Sequence, residues 1–532
     1  MKYFYFLLVS ILAYPCFSQS ITATIDYQGY DESQAYFGQG EYQIYLDNLG
    51  GVLDKPIVFI AGFDPGDSTS LEDMYNSLGF DGDNLGDILR DEGFDPILLN
   101  FPQYSTGGKD IDGGADYIQR NAMVLIELIN LLNDQKVGSE ELVIVGPSMG
   151  GLVARYALSF MEQNSMDHET RLYISFDSPH LGANVPISFQ YLINYFAEAE
   201  GNEQAQFTVD TVLNSPAAKE MLIDHYLGHL LNGSLYLQDP SLLLPVGAPD
   251  FRDAFQTELD DLGFPQQVRN VTMINGSGQG MITGAPGIQI IDTTLDLGSS
   301  ISADINLHFT PAANQTNTIT FFEAFVAGVP ITSFEADAES PSSSDGLDSA
   351  PGGKSTITGS FDGGGNPIII AFLEAIEQNE FCFIPAISAL AIGNEDNWYA
   401  SPDIGGTHNS PFVNTLIPSE NEFHGEVTTA NAEFALDEIR NGILSIGESL
   451  ISDNYRLIEN PVSEQLKIKL SQSISFSNVE LSIYSISGQQ VFNRILKNPT
   501  EEIYLIHNLK SGIYILNIID SKGFYREKII VE

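Results

Sequence analysis

Five stretches of the first 280 residues are dominated by apolar, often β-branched side chains: 56–62, 95–101, 142–145, 171–176 and 270–274. Runs this short and this apolar are expected of strands buried on both faces of a parallel sheet. Between them, residues 117–133 and 152–158 repeat their apolar positions at helical spacing. Strands alternating with helices predict an α/β domain. Residues 187–266 interrupt the alternation before its last strand. They read as mostly helical and rich in Phe, Tyr and Leu, as at Phe189, Tyr191, Tyr195 and Phe196, and so predict a helical cap. Residues 287–365 form a second insertion: 287–336 alternate like strands, and 338–365, rich in Ser, Gly, Asp and Pro, read as loop. From 456 onward the pattern changes to short alternating strands, Leu466–Leu470, Val479–Tyr484 and Ile513–Ile518, with turn signals at Ser487-Gly488 and Ser511-Gly512. That pattern predicts a small all-β sandwich.

Charge sharpens the boundary. Residues 456–532 hold nine basic and eight acidic residues, whereas the whole 532-residue chain has a formal charge of −49. The excess therefore lies entirely in residues 19–455, read here as one large domain. A surface this negative argues against nucleic acid and anionic membranes as partners. Residues 1–18 read as a secretory signal peptide: Lys2, an apolar stretch from Tyr3 to Ala13 too short to span a bilayer, and small residues at Cys16 and Ser18 before Gln19. Pro15 fits poorly with lipoprotein processing at Cys16. No other stretch is long and apolar enough for a transmembrane helix. Cleavage would leave Cys382 as the one thiol, in an apolar run where it reads as an inert core residue.

The most informative ten residues are Leu142-Val-Ile-Val-Gly-Pro-Ser-Met-Gly-Gly151. A buried strand runs into Gly146-Pro147-Ser148-Met149-Gly150, a match to G-x-S-x-G, and a helical segment follows. That context makes Ser148 a candidate nucleophile on a tight strand-to-helix turn. The backbone N–H of Met149, at the helix N-terminus, is a candidate oxyanion donor.

The elbow and the strand order resemble the α/β-hydrolase superfamily, on its lipase and esterase side. Ala61-Gly62-Phe63 matches the His-Gly-x turn of such lipases, with Ala in place of His, which implies the Phe63 N–H as second oxyanion donor. Asp177-Ser-Pro-His-Leu-Gly182 resembles their S-P-H-x-G segment, so His180 is expected to be structural. The base of such enzymes stands in a loop before the last helix. His424, directly before the helical pattern 428–444, fits that place, with His408 the alternative. The acid is left open. The loop 276–280 has no carboxylate, and neither does Phe381, the matching position ahead of Phe383-Ile-Pro-Ala-Ile-Ser388, which resembles a lipase V-P-x-x-S segment. Asp177, at the end of the strand after the elbow, and Asp348 are the candidates, ahead of Asp345 and Asp396.

The last 75 residues resemble the type A sorting domain of the type IX secretion system, through Glu459-Asn-Pro-Val462, the segment 479–491, Leu509-Lys-Ser-Gly-Ile-Tyr514 and a final Lys528-Ile-Ile-Val531. The resemblance implies export through the periplasm of a Gram-negative bacterium, with that secretion machinery as a partner. Together these readings predict a secreted serine hydrolase acting on a hydrophobic or acyl ester. The alternatives are a peptidase, thioesterase or acyltransferase on the same triad, or a binding protein that keeps the fold without the chemistry. No cofactor is expected. No His/Cys cluster points to zinc, and the acidic stretch 80–87 lacks the spacing of a calcium loop.

Overall fold

The computed structural model describes residues 18–360, 367–441 and, in the C-terminal part, 455–458, 460–462, 465–470, 478–485, 490–497, 502–506, 509–520 and 523–531. Residues 1–17 of the expected signal peptide lie outside the described residues, as does the Ser487-Gly488 turn. The chain divides into two compact units, Met1–Gly442 and Ile443–Glu532. No described helix is long and apolar enough to cross a membrane.

The first unit is built on an eight-stranded sheet. Its strands, numbered along the chain, are β1 (Gln19–Tyr27), β2 (Tyr36–Ile44), β3 (Pro56–Ile60), β4 (Asp95–Asn100), β5 (Leu142–Pro147), β6 (Thr170–Phe176), β7 (Arg269–Met273) and β8 (Asn414–Leu416). The spatial order is β1-β2-β4-β3-β5-β6-β7-β8. The first two strands join antiparallel, and every pair from β4 to β8 is parallel. The apolar runs β3 and β4 are buried at every position, which is why their sequences do not alternate. Strands β1 and β2 are half-exposed and polar at every second position, and β8 has only three residues. None of these three strands is marked by an apolar run. Helices α1 (Ile118–Gln135) and α2 (Met149–Gln163) pack on each other and on the sheet, joined through Leu125, Leu128, Leu152, Val153 and Leu158.

The two insertions fold together. Helix α3 (Ile187–Glu198) lies against a four-stranded antiparallel sheet of Gln289–Gly298, Ile301–His308, Thr316–Val326 and Val329–Glu339. Tyr191, Leu192 and Tyr195 share a core with Ile291, Ile305, Leu307, Phe322 and Phe334, and the Tyr195 and Phe334 rings stack at 4.6 Å. Within the expected cap, residues 230–251 are irregular, because Pro240, Pro245, Pro249, Gly233 and Gly247 leave no room for helical repeats. The following helix α4 (Arg252–Leu262) packs on α2 through Phe255 and Leu259 and so belongs to the core around the eight-stranded sheet. The stretch expected to be loop at 338–365 contains a strand, Gly352–Thr356, paired antiparallel with Glu380–Pro385. A Cβ at Gly352 would stand 2.4 Å from the Ile384 carbonyl, so the glycines that made this segment look like loop are what lets it press against its partner.

The second unit has a three-stranded sheet, Tyr455–Leu457, Gln465–Leu470 and Glu502–Ile506. A four-stranded antiparallel sheet in the order Gln490–Lys497, Asn478–Ser485, Gly512–Asp520, Gly523–Val531 accompanies it. Both sheets turn alternate residues, among them Leu466, Ile468, Leu481, Ile483, Leu516 and Ile529, into one core, the arrangement of a β-sandwich.

Candidate active site

Ser148 ends β5 and caps α2 with φ +52° and ψ −131°, a backbone region that a residue with a Cβ rarely enters. The strain is held from both sides. Its N–H donates to the Phe176 carbonyl of β6 at 2.9 Å, and its carbonyl accepts from Gly151 at 3.1 Å. The glycines are required by close approach. A Cβ at Gly146 would fall 2.5 Å from the backbone of Gly150 and Gly151, and one at Gly150 would fall 2.8 Å from the Ile60 carbonyl at the end of β3. The loop leaving β3 therefore passes over the serine: a Cβ on Gly62 would stand 3.3 Å from Ser148 Cβ. Phe63 comes next. Its N–H and that of Met149 have no hydrogen-bond acceptor among the described residues. Met149, as first residue of α2, has none to find within the helix.

The other half of the site comes from distant loops. Asp177 follows β6, also at positive φ (+45°). It is fully buried, with its N–H on the Met273 carbonyl at 2.8 Å. Its Oδ1 accepts from the Asn275 N–H at 3.0 Å, and its Oδ2 lies 2.7 Å from His424 Nδ1. The His424 loop hangs on the strand at 352–356, through His424 N–H to the Lys354 carbonyl at 2.9 Å. The edge of the imidazole meets the Phe383 ring at 4.9 Å. At Gly353 a Cβ would overlap Asp177 Oδ2, so only glycine lets this strand cover the carboxylate. With the Asp177 carboxylate at Nδ1, the tautomer with its proton on Nδ1 satisfies this contact and leaves Nε2 as an acceptor.

The remaining candidates stand elsewhere. Asp348 is not beside His424. It is buried beneath the inserted layer, where Oδ2 accepts from the Thr310 N–H at 2.7 Å and hydroxyl at 2.9 Å, and Oδ1 from the Asn184 amide at 3.1 Å. Burial raises its pKa. His408 braces its own loop, with Nδ1 accepting from the Asp403 N–H at 2.9 Å and Nε2 3.2 Å from Glu395. Asp345 accepts from the Ala313 N–H at 2.8 Å. His180 is buried between Phe264 and Phe412, with Nε2 2.9 Å from the Ser175 hydroxyl, and burial lowers its pKa well below the usual range. Two residues at the site carried no signal in sequence reading: Asn275, at the start of the loop searched for a carboxylate, and Gly353.

A depression lined by Tyr30, Tyr156, Phe160 and Glu258 opens at the far end of α2 from Ser148. Among the described residues one carboxylate cluster, Asp47, Asp54 and Asp95, is close enough to consider for a metal ion. The Asp47 and Asp95 oxygens, however, are taken by backbone N–H groups of Leu49, Gly51, Asp54 and Lys55 at 2.6–3.0 Å.

The sheet order, with a strained serine after β5 and an Asp–His pair after β6 and β8, is that of the α/β-hydrolase fold. Residues 105–214 match the family model described as "Putative serine esterase", and residues 459–532 match the model "Secretion system C-terminal sorting domain". A search of the curated proteins finds no match. Similar solved structures include Est1E from Butyrivibrio proteoclasticus, at 11% identity and a TM-score of 0.23, covering 44% of this chain and 74% of that one. They also include the esterase Est22, at 10% identity and 0.24, covering 48% of this chain and 63% of that one. An esterase from the archaeon Pyrobaculum calidifontis matches at 9% identity and 0.24, covering 48% and 64%. The chain thus spans a little under two thirds of the length of the last two.

Proposed function

We propose that the chain is a secreted serine hydrolase that cleaves carboxylic esters through an acyl-enzyme on Ser148. The observation that carries this reading is the 2.7 Å contact of Asp177 with His424 Nδ1, in a fold whose strained turn holds Ser148. In the reaction, Ser148 Oγ attacks the ester carbonyl while His424 Nε2 takes its proton. Asp177 stabilises the imidazolium, and the oxyanion is received by the N–H groups of Phe63 and Met149. The carbonyl re-forms, the C–O bond to the alcohol breaks, and His424 returns its proton to the leaving oxygen. Water then gives a proton to His424 and attacks the acyl carbonyl; the bond to Ser148 Oγ breaks as His424 returns that proton to Oγ, which releases the acid and restores the enzyme.

The match over residues 459–532 supports export by a type IX system to the medium or cell surface. Labelling by a fluorophosphonate, followed by turnover of ester, amide and thioester panels, tests the reading. Labelling lost in Ser148→Ala and turnover confined to esters are expected. A folded wild-type protein that does not label would end it in favour of a non-catalytic binding protein, and preference for amides or thioesters would replace the ester assignment.

A further inference from the structure

Asn275 is fully buried, and its backbone and side chain face different parts of the site. Its backbone N–H donates to Asp177 Oδ1 at 3.0 Å, and its backbone carbonyl accepts from Glu422 at 2.8 Å. Its side-chain Oδ1 accepts from the Gly425 N–H at 2.9 Å, and its Nδ2 donates to Glu422 Oε2 at 3.0 Å and the Glu426 carbonyl at 3.4 Å. These contacts bracket His424, at Glu422 two residues before it and at Gly425 and Glu426 after it. The same residue thus grips the acid with its main chain and the base's loop with its amide. Every group is used in the sense that its chemistry allows: donors meet acceptors, and the amide offers both from two separate atoms. A buried network with all its members satisfied fixes geometry more firmly than any of its pairs alone.

We propose that Asn275 is a positioning residue: it locks the His424 loop to Asp177, with the Glu422 carboxylate as the partner that orients its amide. The inference rests on the proposed triad. Glu422 sits close to like charges, Glu426 and Asp177, and burial together with these holds its pKa above the usual carboxylate value. A donor from Asn275 is what lets Glu422 remain an acceptor there.

An exchange of chemistry between the two residues tests this. Asn275→Asp keeps shape and keeps the acceptor for Gly425, but sets a carboxylate against Glu422. It is expected to lower kcat about 10–100-fold with KM within about twofold. Adding Glu422→Gln returns the donor from the other side at the charge of the native pair, and is expected to restore kcat to within about threefold of wild type. A second readout is the midpoint of the His424 ring titration by NMR in the full chain, with the signal assigned by its loss in His424→Gln. Asn275→Asp is expected to move it upward by about half a pH unit or more, and the double exchange to bring it back.

An Asn275→Asp variant with native kcat, or a stably folded double variant that stays as slow as the single, would overturn the inference. Wild-type protein without Ser148-dependent turnover would instead end the proposed function. The NMR comparison would then decide this inference alone, and an unmoved midpoint would overturn it.

Discussion

Ser148 is held by neighbours within three positions of it and by the adjoining strands β3 and β6. His424 meets its carboxylate across 247 residues of chain. The serine corner is steric: glycines at 146 and 150 allow backbone to touch backbone, and a positive φ is forced on the residue between them. The acid–base corner is made of hydrogen bonds between the ends of β6 and β7, the strand at 352–356 and the loop at 422–426. Strain can be imposed by a local motif because hard-sphere contact acts over one or two residues. Orienting an imidazole needs partners on several sides, and only the folded chain supplies them.

If the two corners work as one machine, their losses do not add. Ser148→Ala and His424→Ala are each expected to lower kcat by about 10⁴–10⁶, and the double variant to be no slower than the worse single. Steady-state kinetics on a chromogenic ester measures this. Additive losses would separate the corners. Asp177→Asn is expected to follow at about 10³–10⁴, since it leaves the ring in place with the wrong proton arrangement.

Gly353→Ala acts on one corner only. Its methyl would displace the Asp177 carboxylate, and an expected fall of about 10–100-fold in the rate of fluorophosphonate labelling, with KM little changed, would follow from misorientation alone. An unaffected rate would mean that the strand at 352–356 can move off the acid at no cost.

This glycine shows what was legible in the sequence. The apolar runs of β3 to β7, the serine turn and the alternating tail are period signals, readable because each element repeats its environment within a few residues. Asp177 and His424 could be named as candidates, but their meeting could not be read, since nothing local ties residue 177 to residue 424. Asn275 and Gly353 act through a buried amide and the absence of a Cβ, neither of which leaves a pattern in the chain. The polar strands β1 and β2, at one side of the sheet, carry no such signal for a related reason: half-exposed, they lack the apolar run that marks the strands at the centre.

Another carboxylate of the first unit, Glu220, is buried as deeply as Asp177. It accepts from the Ile118 N–H at 3.0 Å, and has its pKa driven well above the usual value, first by burial. Its folded-state pKa lies above the unfolded one, so the folded state holds the proton more tightly. The stability this gives is complete below about pH 4 and is lost as pH rises toward the folded value. Glu220→Gln removes that loss. Its thermal midpoint relative to wild type is expected to rise by a few degrees between pH 4 and pH 7.5, with esterase activity unchanged. A pH-independent difference would show that Glu220 ionises freely where it stands. The smallest effect is expected from ending the chain at residue 454: ester turnover within about twofold of the full chain, and retention of the protein by host cells on fractionation. Lost turnover would tie the sandwich to the site, and release of the shortened chain into the medium would end its sorting role.

The 247 residues between acid and base are also an interval of time. A ribosome adds about 5–20 residues per second, so Asp177 emerges on the order of 10–50 s before the histidine that it orients. On the proposed triad, the serine lacks its proton acceptor throughout that interval. It gains one only as the segment before the helix Thr429–Asn441 is made.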